Sequence, residues 1–291
     1  MKLLCNCCPR KCNAERSDDV NIGGYCKMPL LPKIARVGIH NWEEPCVSGK
    51  NGSGTIFFSG CSLNCVYCQN HKISHGGFGK VISIERLAEI FKELENSGVQ
   101  NINLVNPTHY FYAIKKALEI YRPNLPIIYN SGGYDNPDNI LENIFDVYLF
   151  DLKYLNNNDA FKYSKAANYP DVAKNAILTA YNLKPEVVLD EDKMIKSGII
   201  IRHLVLPRHT NDAIEIIKWA NENCPNTFFS IMSQYIPFNT DKFPEINRKI
   251  TKREYEKVLE SINDTNFADV FVQYITSADE KFIPDFNLEG V

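Results

Sequence analysis

From residue 55 onward the chain alternates between short runs that are apolar almost throughout and longer stretches with a single apolar face. TIFFS (55–59), NINLV (101–105), PIIYN (126–130), VYLFD (147–151), GIIIRHLVL (198–206), TFFSIM (227–232) and VFVQYI (270–275) read as buried strands. SIERLAEIFKELENSG (83–98) puts Ile84, Leu87, Phe91 and Leu94 on one helical face, with Ser83 as N-cap and Gly98 as stop. Further helices are predicted from about Tyr110 to Tyr121, over 212–223 with Ile214, Ile217 and Ala220, and over 252–262 behind a capping box of Thr251 and Glu254. Residues 152–197 are less regular: helical in part, with VVLDEDKMI (187–195) as a small hairpin or exposed loop.

Strands this apolar, separated by helices, mean a parallel sheet covered on both faces. Six β–α units plus a last strand predict an α/β fold, a partial (β/α)6 barrel with an extra C-terminal strand. In such folds the reactive side chains sit at the C-terminal ends of the strands.

Composition narrows the function. The chain has 291 residues, enough for one large domain or two small ones. Its 32 basic and 35 acidic residues leave a net charge of −3, which argues against nucleic acid as a partner. The start, MKLLCNCCPRKC, has no apolar run of signal-peptide length, and no stretch approaches a membrane span, so the expected location is cytoplasmic. Ten cysteines in a reducing compartment point to metal binding or catalysis rather than disulfides. Nine of the ten fall in the first 68 residues. This divides the chain into a Cys-rich, metal-binding extension (1–50) and a barrel with a C-terminal extension (51–291).

The stretch GCSLNCVYCQN (60–70) follows the first buried strand and presents Cys61, Cys65 and Cys68. One reading is a structural zinc site completed by His71. The other is a 4Fe-4S cluster with three protein thiolates and one iron left open. The loop caps a buried strand at the reactive end of a barrel rather than forming a small self-contained module, which favours the cluster. Farther forward, Cys5, Cys8, Cys12 and Cys26 form C-x2-C-x3-C-x13-C, with Cys7 extra and Cys46 separate. Four thiolates make a closed site, suited to zinc or to a second 4Fe-4S cluster. Either could order a segment otherwise too polar to hold a core.

At CxxxCxxC the chain resembles the radical S-adenosylmethionine (radical SAM) superfamily. The wider context, GTIFFSGCSLNCVYCQN, looks like its pyruvate formate-lyase activating enzyme group, and the front end CNCCPRKC, GGYCKMPLLPK and WEEPCVSG looks like the PflX-like branch of that group. The resemblance implies that S-adenosylmethionine chelates the open iron. An electron from the reduced cluster, delivered by a donor such as flavodoxin or ferredoxin, then yields methionine and a 5′-deoxyadenosyl radical that abstracts hydrogen from a substrate.

The resemblance also implies a cofactor shelf at the strand ends. Asn106 and Thr108 stand where relatives have Gly-Gly-Glu, a departure that removes the carboxylate expected to meet the cofactor's ammonium. Asn130 and Ser131 occupy the ribose-side position, Asp151 and Lys153 lie in the triplet DLK, and Arg202 and Gln234 lie on or past later strands. Tyr67, before the third cysteine, joins this cofactor set. Taken singly, Asp151 with Lys153 also reads as a satisfied buried ion pair. Cys46 and His203 are candidates for direct participation in the reaction, against a buried inert thiol and an outward-facing histidine. Three functions remain open: glycyl-radical activation of a partner protein, modification of a small molecule or peptide, and a non-catalytic zinc-binding barrel.

Overall fold

The apolar rhythm is followed closely in space. The computed structural model describes residues 3–279 and 282–291. Three two-residue strands, β1 (Leu3–Leu4), β2 (Glu15–Arg16) and β3 (Asn21–Ile22), form a small antiparallel sheet at the front. The main sheet opens with β4 (Lys33–His40) and β5 (Ser53–Phe58), between which lies the short helix α1 (Pro45–Ser48). Then come α2 (His71–Ser74), β6 (Lys80–Val81), α3 (Ile84–Asn96), β7 (Ile102–Val105), α4 (Phe111–Ile120), β8 (Ile127–Ser131), α5 (Pro137–Leu141) and β9 (Val147–Asp151). The second half holds α6 (Asn157–Ser164), α7 (Tyr169–Leu183), β10 (Val188–Leu189), β11 (Ile195–Leu204), α8 (Thr210–Asn223), β12 (Phe228–Met232), α9 (Lys252–Leu259) and β13 (Asp269–Val272).

Strands β5, β7, β8, β9, β11, β12 and β13 neighbour one another in chain order, all parallel. This is the expected partial barrel of six strands plus one. Strand β4 runs antiparallel against β5, and β6 against β4. The segment around 187–195 is the hairpin of β10 with the start of β11.

Two apolar layers hold the sheet. Outside it, Leu87, Ile90, Phe91 and Leu94 of α3 join Ile56, Leu104, Ile199 and Ile201. Each such side chain contributes about 1.5–3 kcal/mol when fully buried. Inside it, Ile128, Val147, Leu149, Ile200 and Phe228 pack on Cys46 and Val47 of α1. Because side chains alternate along a strand, Arg202 shares the inner face of Ile200, whereas His203 shares the outer face of Ile201.

The structure departs from the sequence reading in its first fifty residues. Residues 33–40 are a strand of the main sheet, with Ile34, Ala35 and Val37 buried, so the sheet begins ahead of residue 51. The tail returns to that strand, where Leu288 N donates to Ala35 O at 3.1 Å and Val37 N to Glu289 O at 2.8 Å. Helix α3 keeps its Ser83 cap, α9 keeps its capping box, and α8 starts at Thr210, two residues before its apolar pattern. Among the described residues, no helix is long and apolar enough to cross a membrane.

Candidate active site

The strand β5 delivers the cysteine loop through Gly60, whose φ of +81° suits glycine. A Cβ there would stand 2.2 Å from Met28 Cγ. All three loop sulfurs have hydrogen-bond partners: Leu63 N donates to Cys61 Sγ at 3.3 Å, Cys65 Sγ meets Ser164 Oγ at 3.0 Å, and Cys68 Sγ meets Ser74 Oγ at 3.2 Å. Burial pushes the three thiols up, Cys68 to about 11, while the Lys153 ammonium pulls each of them down. An anionic ligand set beside a buried cation is what a metal centre needs to displace those protons.

The donor set is three thiolates from one short loop, Cys61, Cys65 and Cys68, which is the set that holds a 4Fe-4S cluster with one iron left open. Among the described residues, the one close group of three or more candidate ligand atoms outside it is Asp159, His209 and Asp212.

Tyr67 braces the loop instead of facing an open site. Its side chain is buried, its hydroxyl meets Tyr154 at 2.5 Å, and its ring packs edge-on against Tyr235. Asn106, at φ +60°, donates its amide to the carbonyl of Gly60. Gln69 ties the loop to the far strands through a 2.8 Å bond to Gln234 O, and the Gln234 side chain accepts from Gln273.

The inner face carries an ionic network at the mouth. Asp151 accepts from Lys153 Nζ at 2.6 Å and from Arg202 Nε at 3.0 Å. Arg202 also donates to Glu43 at 3.1 Å and to Asn130 Oδ1 at 2.9 Å. Burial alone would raise Asp151, yet Lys153 and Arg202 outweigh it and hold the carboxyl below its usual range. Burial likewise works against Lys153, and Asp151 outweighs it, keeping the ammonium charged.

Two members of this network escape sequence reasoning. Glu43 and Glu44, in the turn before α1, enter the lumen beside Arg202, and burial pushes both carboxyls up. Glu44 Oε2 has no hydrogen-bond donor among the described residues, its salt-bridge cation being Arg202 at 4.0 Å. Three carboxylates thus face two cations. In the sequence, only the two adjacent apolar residues Cys46 and Val47 after the pair hint at burial.

Thr108 and Ser131 are placed elsewhere. Both donate to Asp135, a fully buried carboxylate that also accepts from Tyr129 OH at 2.6 Å. These hydroxyls satisfy a buried charge, so the structure does not bring them to the cofactor shelf. Burial pushes Asp135 up, and the three donors oppose it.

Cys46 and His203 are likewise not brought to the cysteine loop. Cys46 packs on Val147 and Phe228, the first residues of β9 and β12, at the opposite end of the strands from Cys61. Burial pushes its thiol well up. His203 is buried on the outer face, where its Nδ1 meets Leu152 O at 2.8 Å and burial lowers it to about 4. It lines a small pocket with Asp159, His209 and Asp212.

The front cysteines dock on this mouth. Arg10 Nε donates to Ser62 O and Nη1 to Lys165 O, each at 2.7 Å, and Asn139 Nδ2 donates to Cys7 O at 2.9 Å.

Known proteins agree with this geometry. The model of the Radical SAM superfamily matches residues 55–250. The uncharacterized protein MJ0674 of Methanocaldococcus jannaschii is 32% identical over 269 residues, covering 88% of this chain and 73% of that protein. Among solved structures, Streptococcus suis SuiB bound to the precursor peptide SuiA aligns with a TM-score of 0.52 at 14% identity, over 75% of this chain and 48% of SuiB. Methylornithine synthase (PylB) aligns at 0.51 and 15% identity, over 72% of this chain and 61% of PylB. This chain therefore spans about half of SuiB, and these structural likenesses bear on the fold alone. With the loop, the strand order and the family match in agreement, the chain belongs to the radical SAM superfamily.

Proposed function

We propose that this enzyme cleaves S-adenosylmethionine at Cys61, Cys65 and Cys68 and acts on a small molecule or peptide that carries a cationic group. When bound, the 4Fe-4S cluster supplies the electron that releases the 5′-deoxyadenosyl radical. The chain's own residues do the rest. Lys153 offers its ammonium to the cofactor carboxylate from a side chain fixed by Asp151. Asn130, Asp151 and Arg202 hold the shelf rigid at the strand ends. The observation that carries the substrate class is the lumen charge: Glu43 and Glu44 exceed what Arg202 neutralises, and Glu44 Oε2 lacks a donor among the described residues. A substrate amine or guanidinium would supply it. SuiB bound to its precursor peptide supports such a reading only in that a related barrel admits a peptide.

Glycyl-radical activation of a partner protein is the second reading, favoured by the loop GCSLNCVYCQN and the triplet DLK. Anaerobic incubation of reduced protein with S-adenosylmethionine tests both. Formation of 5′-deoxyadenosine is expected, stimulated by lysine- or arginine-bearing peptides or amines, and E43Q and E44Q should raise KM for them. No 5′-deoxyadenosine would overturn the activity. A stable protein-borne glycyl radical signal on addition of extract, without stimulation by amines, would overturn the substrate class.

A further inference from the structure

We propose that Asp159, His209 and Asp212 bind a divalent first-row metal ion that clamps together the loops following β9 and β11. These two strands are parallel neighbours, and each leads into a helix. The first turn of α6 carries Asp159, while α8 has His209 as its N-cap and Asp212 in its first turn. The helix dipole favours an acidic residue in a first turn. That accounts for each carboxylate singly but not for their meeting on one imidazole. One ligand atom from each of the three lies within 4.8 Å of the other two. His209 Nδ1 stands 2.7 Å from Asp212 Oδ2 and 4.0 Å from Asp159 Oδ2. Ligand atoms about 2.1 Å from one ion lie about 3.0–3.4 Å apart, so small side-chain rotations bring all three to that spacing.

The hydrogen-bond chain behind His209 decides which nitrogen meets the aspartates. Desolvation raises Glu245, but Lys162 and Tyr163 outweigh it and hold the carboxyl down at about 2, so it only accepts. Tyr163 OH therefore gives its one hydrogen to Glu245 Oε1 at 2.6 Å and accepts from His209 Nε2 at 3.2 Å. With that hydrogen on Nε2, a neutral ring sets the Nδ1 lone pair against two carboxylates. A cation must lie among them. A proton on Nδ1 serves only Asp212, and leaves the Asp159 carboxylate with no hydrogen-bond donor among the described residues. A metal ion serves all three.

A second histidine supplies an independent observation. His203 is 3% exposed and lines, with Asp159, His209 and Asp212, a cavity of about 10 Å³, room for one water or small ion. Its Nδ1 meets Leu152 O at 2.8 Å. A carbonyl only accepts, so Nδ1 carries the hydrogen and Nε2 the lone pair. That Nε2 has no hydrogen-bond partner among the described residues. Metal-binding histidines are held in this way, one nitrogen bonded to a carbonyl or similar acceptor and the other bare. Lys153 also lines the cavity, but its ammonium is held by Asp151 at 2.6 Å. Imidazole and carboxylate without sulfur suit zinc, iron(II) or manganese. Bound there, the ion fixes the segment from Lys153 to Asp159 against the start of α8.

Titration with Mn²⁺ tests the proposal, because manganese avoids thiolates and its free-ion paramagnetic signal is lost on binding. Protein reconstituted with iron and sulfide, its cysteine loop occupied, should bind one Mn²⁺ that D159N/D212N does not bind. D159N alone, a change at the helix surface, should already weaken the site. Y163F keeps the three ligands but releases the Nε2 hydrogen, and should weaken the site about 10–100-fold. Mn²⁺ should raise the melting temperature of the intact protein and not that of D159N/D212N, whose metal-free melting shows that it folds. No Mn²⁺ bound by the intact protein would overturn the proposal and leave an imidazolium paired with Asp212. Equal binding by the intact protein, D159N and D159N/D212N would overturn it by placing the ion elsewhere, such as beside Glu44. Undiminished affinity in Y163F would overturn the role given to the Nε2 hydrogen.

Discussion

Arg202 and Asp151 lie level on adjacent parallel strands, and Arg202 Nε donates to Asp151 Oδ1 at 3.0 Å while Lys153 takes the other oxygen. One carboxylate therefore fixes two cations that face different ways. Lys153→Met leaves Asp151 paired with Arg202, so the fold and the iron content should persist. Affinity for S-adenosylmethionine should fall by roughly 1–3 kcal/mol, the range for a charge-assisted hydrogen bond. Calorimetric titration of reconstituted protein measures it, and unchanged affinity would mean that Lys153 serves Asp151 alone.

Arg202→Met should be the more damaging change. It leaves Glu43, Glu44 and Asp151 in a lumen where their shared cation is gone. Breaking such a buried set costs about 3–5 kcal/mol. Lysine cannot reach Asp151, Glu43 and Asn130 together, so Arg202→Lys should recover little. Adding Glu43→Gln to Arg202→Met should restore part of the loss in urea unfolding; a double variant no more stable than the single one would contradict the network.

Gly60→Ala tests the weld between the front segment and the cysteine loop. The left-handed backbone costs about 1–2 kcal/mol for a non-glycine residue, and Met28 must move from 2.2 Å. Overpacking of this kind adds about 1–3 kcal/mol. Shortening the neighbour in Gly60→Ala/Met28→Ala should relieve the second part but not the first. Thermal unfolding separates the two, and equal losses in both variants would show that Met28 is not the obstacle.

Acid should weaken the fold through two buried imidazoles. Burial lowers His203 to about 4 and His109 to about 3. A group whose folded pKa is depressed stabilises the protein above its ordinary value, and that contribution is lost as pH falls. The loss should therefore develop from about pH 6.5 downward, reaching about 3 kcal/mol for His203 near pH 4. His203→Gln should flatten this part of the stability profile, and an unchanged slope between pH 6.5 and 4 would place the acid sensitivity elsewhere.

The strands were legible because each is a short apolar run, and Val147–Asp151 falls where its pattern puts it. That Asp151, Lys153 and Arg202 meet at the strand ends was legible because polar residues at the ends of such runs have few other places to go. Thr108 and Ser131 misled because the group they satisfy, Asp135, belongs to the next loop and nothing local pairs them with it. Strand β4 was hidden by its neighbours: KIARVGIH alternates only loosely, and its partner β5 runs antiparallel to it. Glu43 and Glu44 were hidden because burial of a charge is decided by what arrives opposite, here Arg202, far along the chain.

The contacts that seat the front cysteines also set an order of assembly. Arg16 is held by the carbonyl of His109, Cys7 by Asn139 and Arg10 by the carbonyl of Lys165. These partners lie at positions 109, 139 and 165, so each is made long after the residue it holds. The front segment is thus enclosed only once the elements carrying these partners have formed, and until then its thiols stay open to solvent and oxidants. Seating of the front cysteines waits on the elements that hold them.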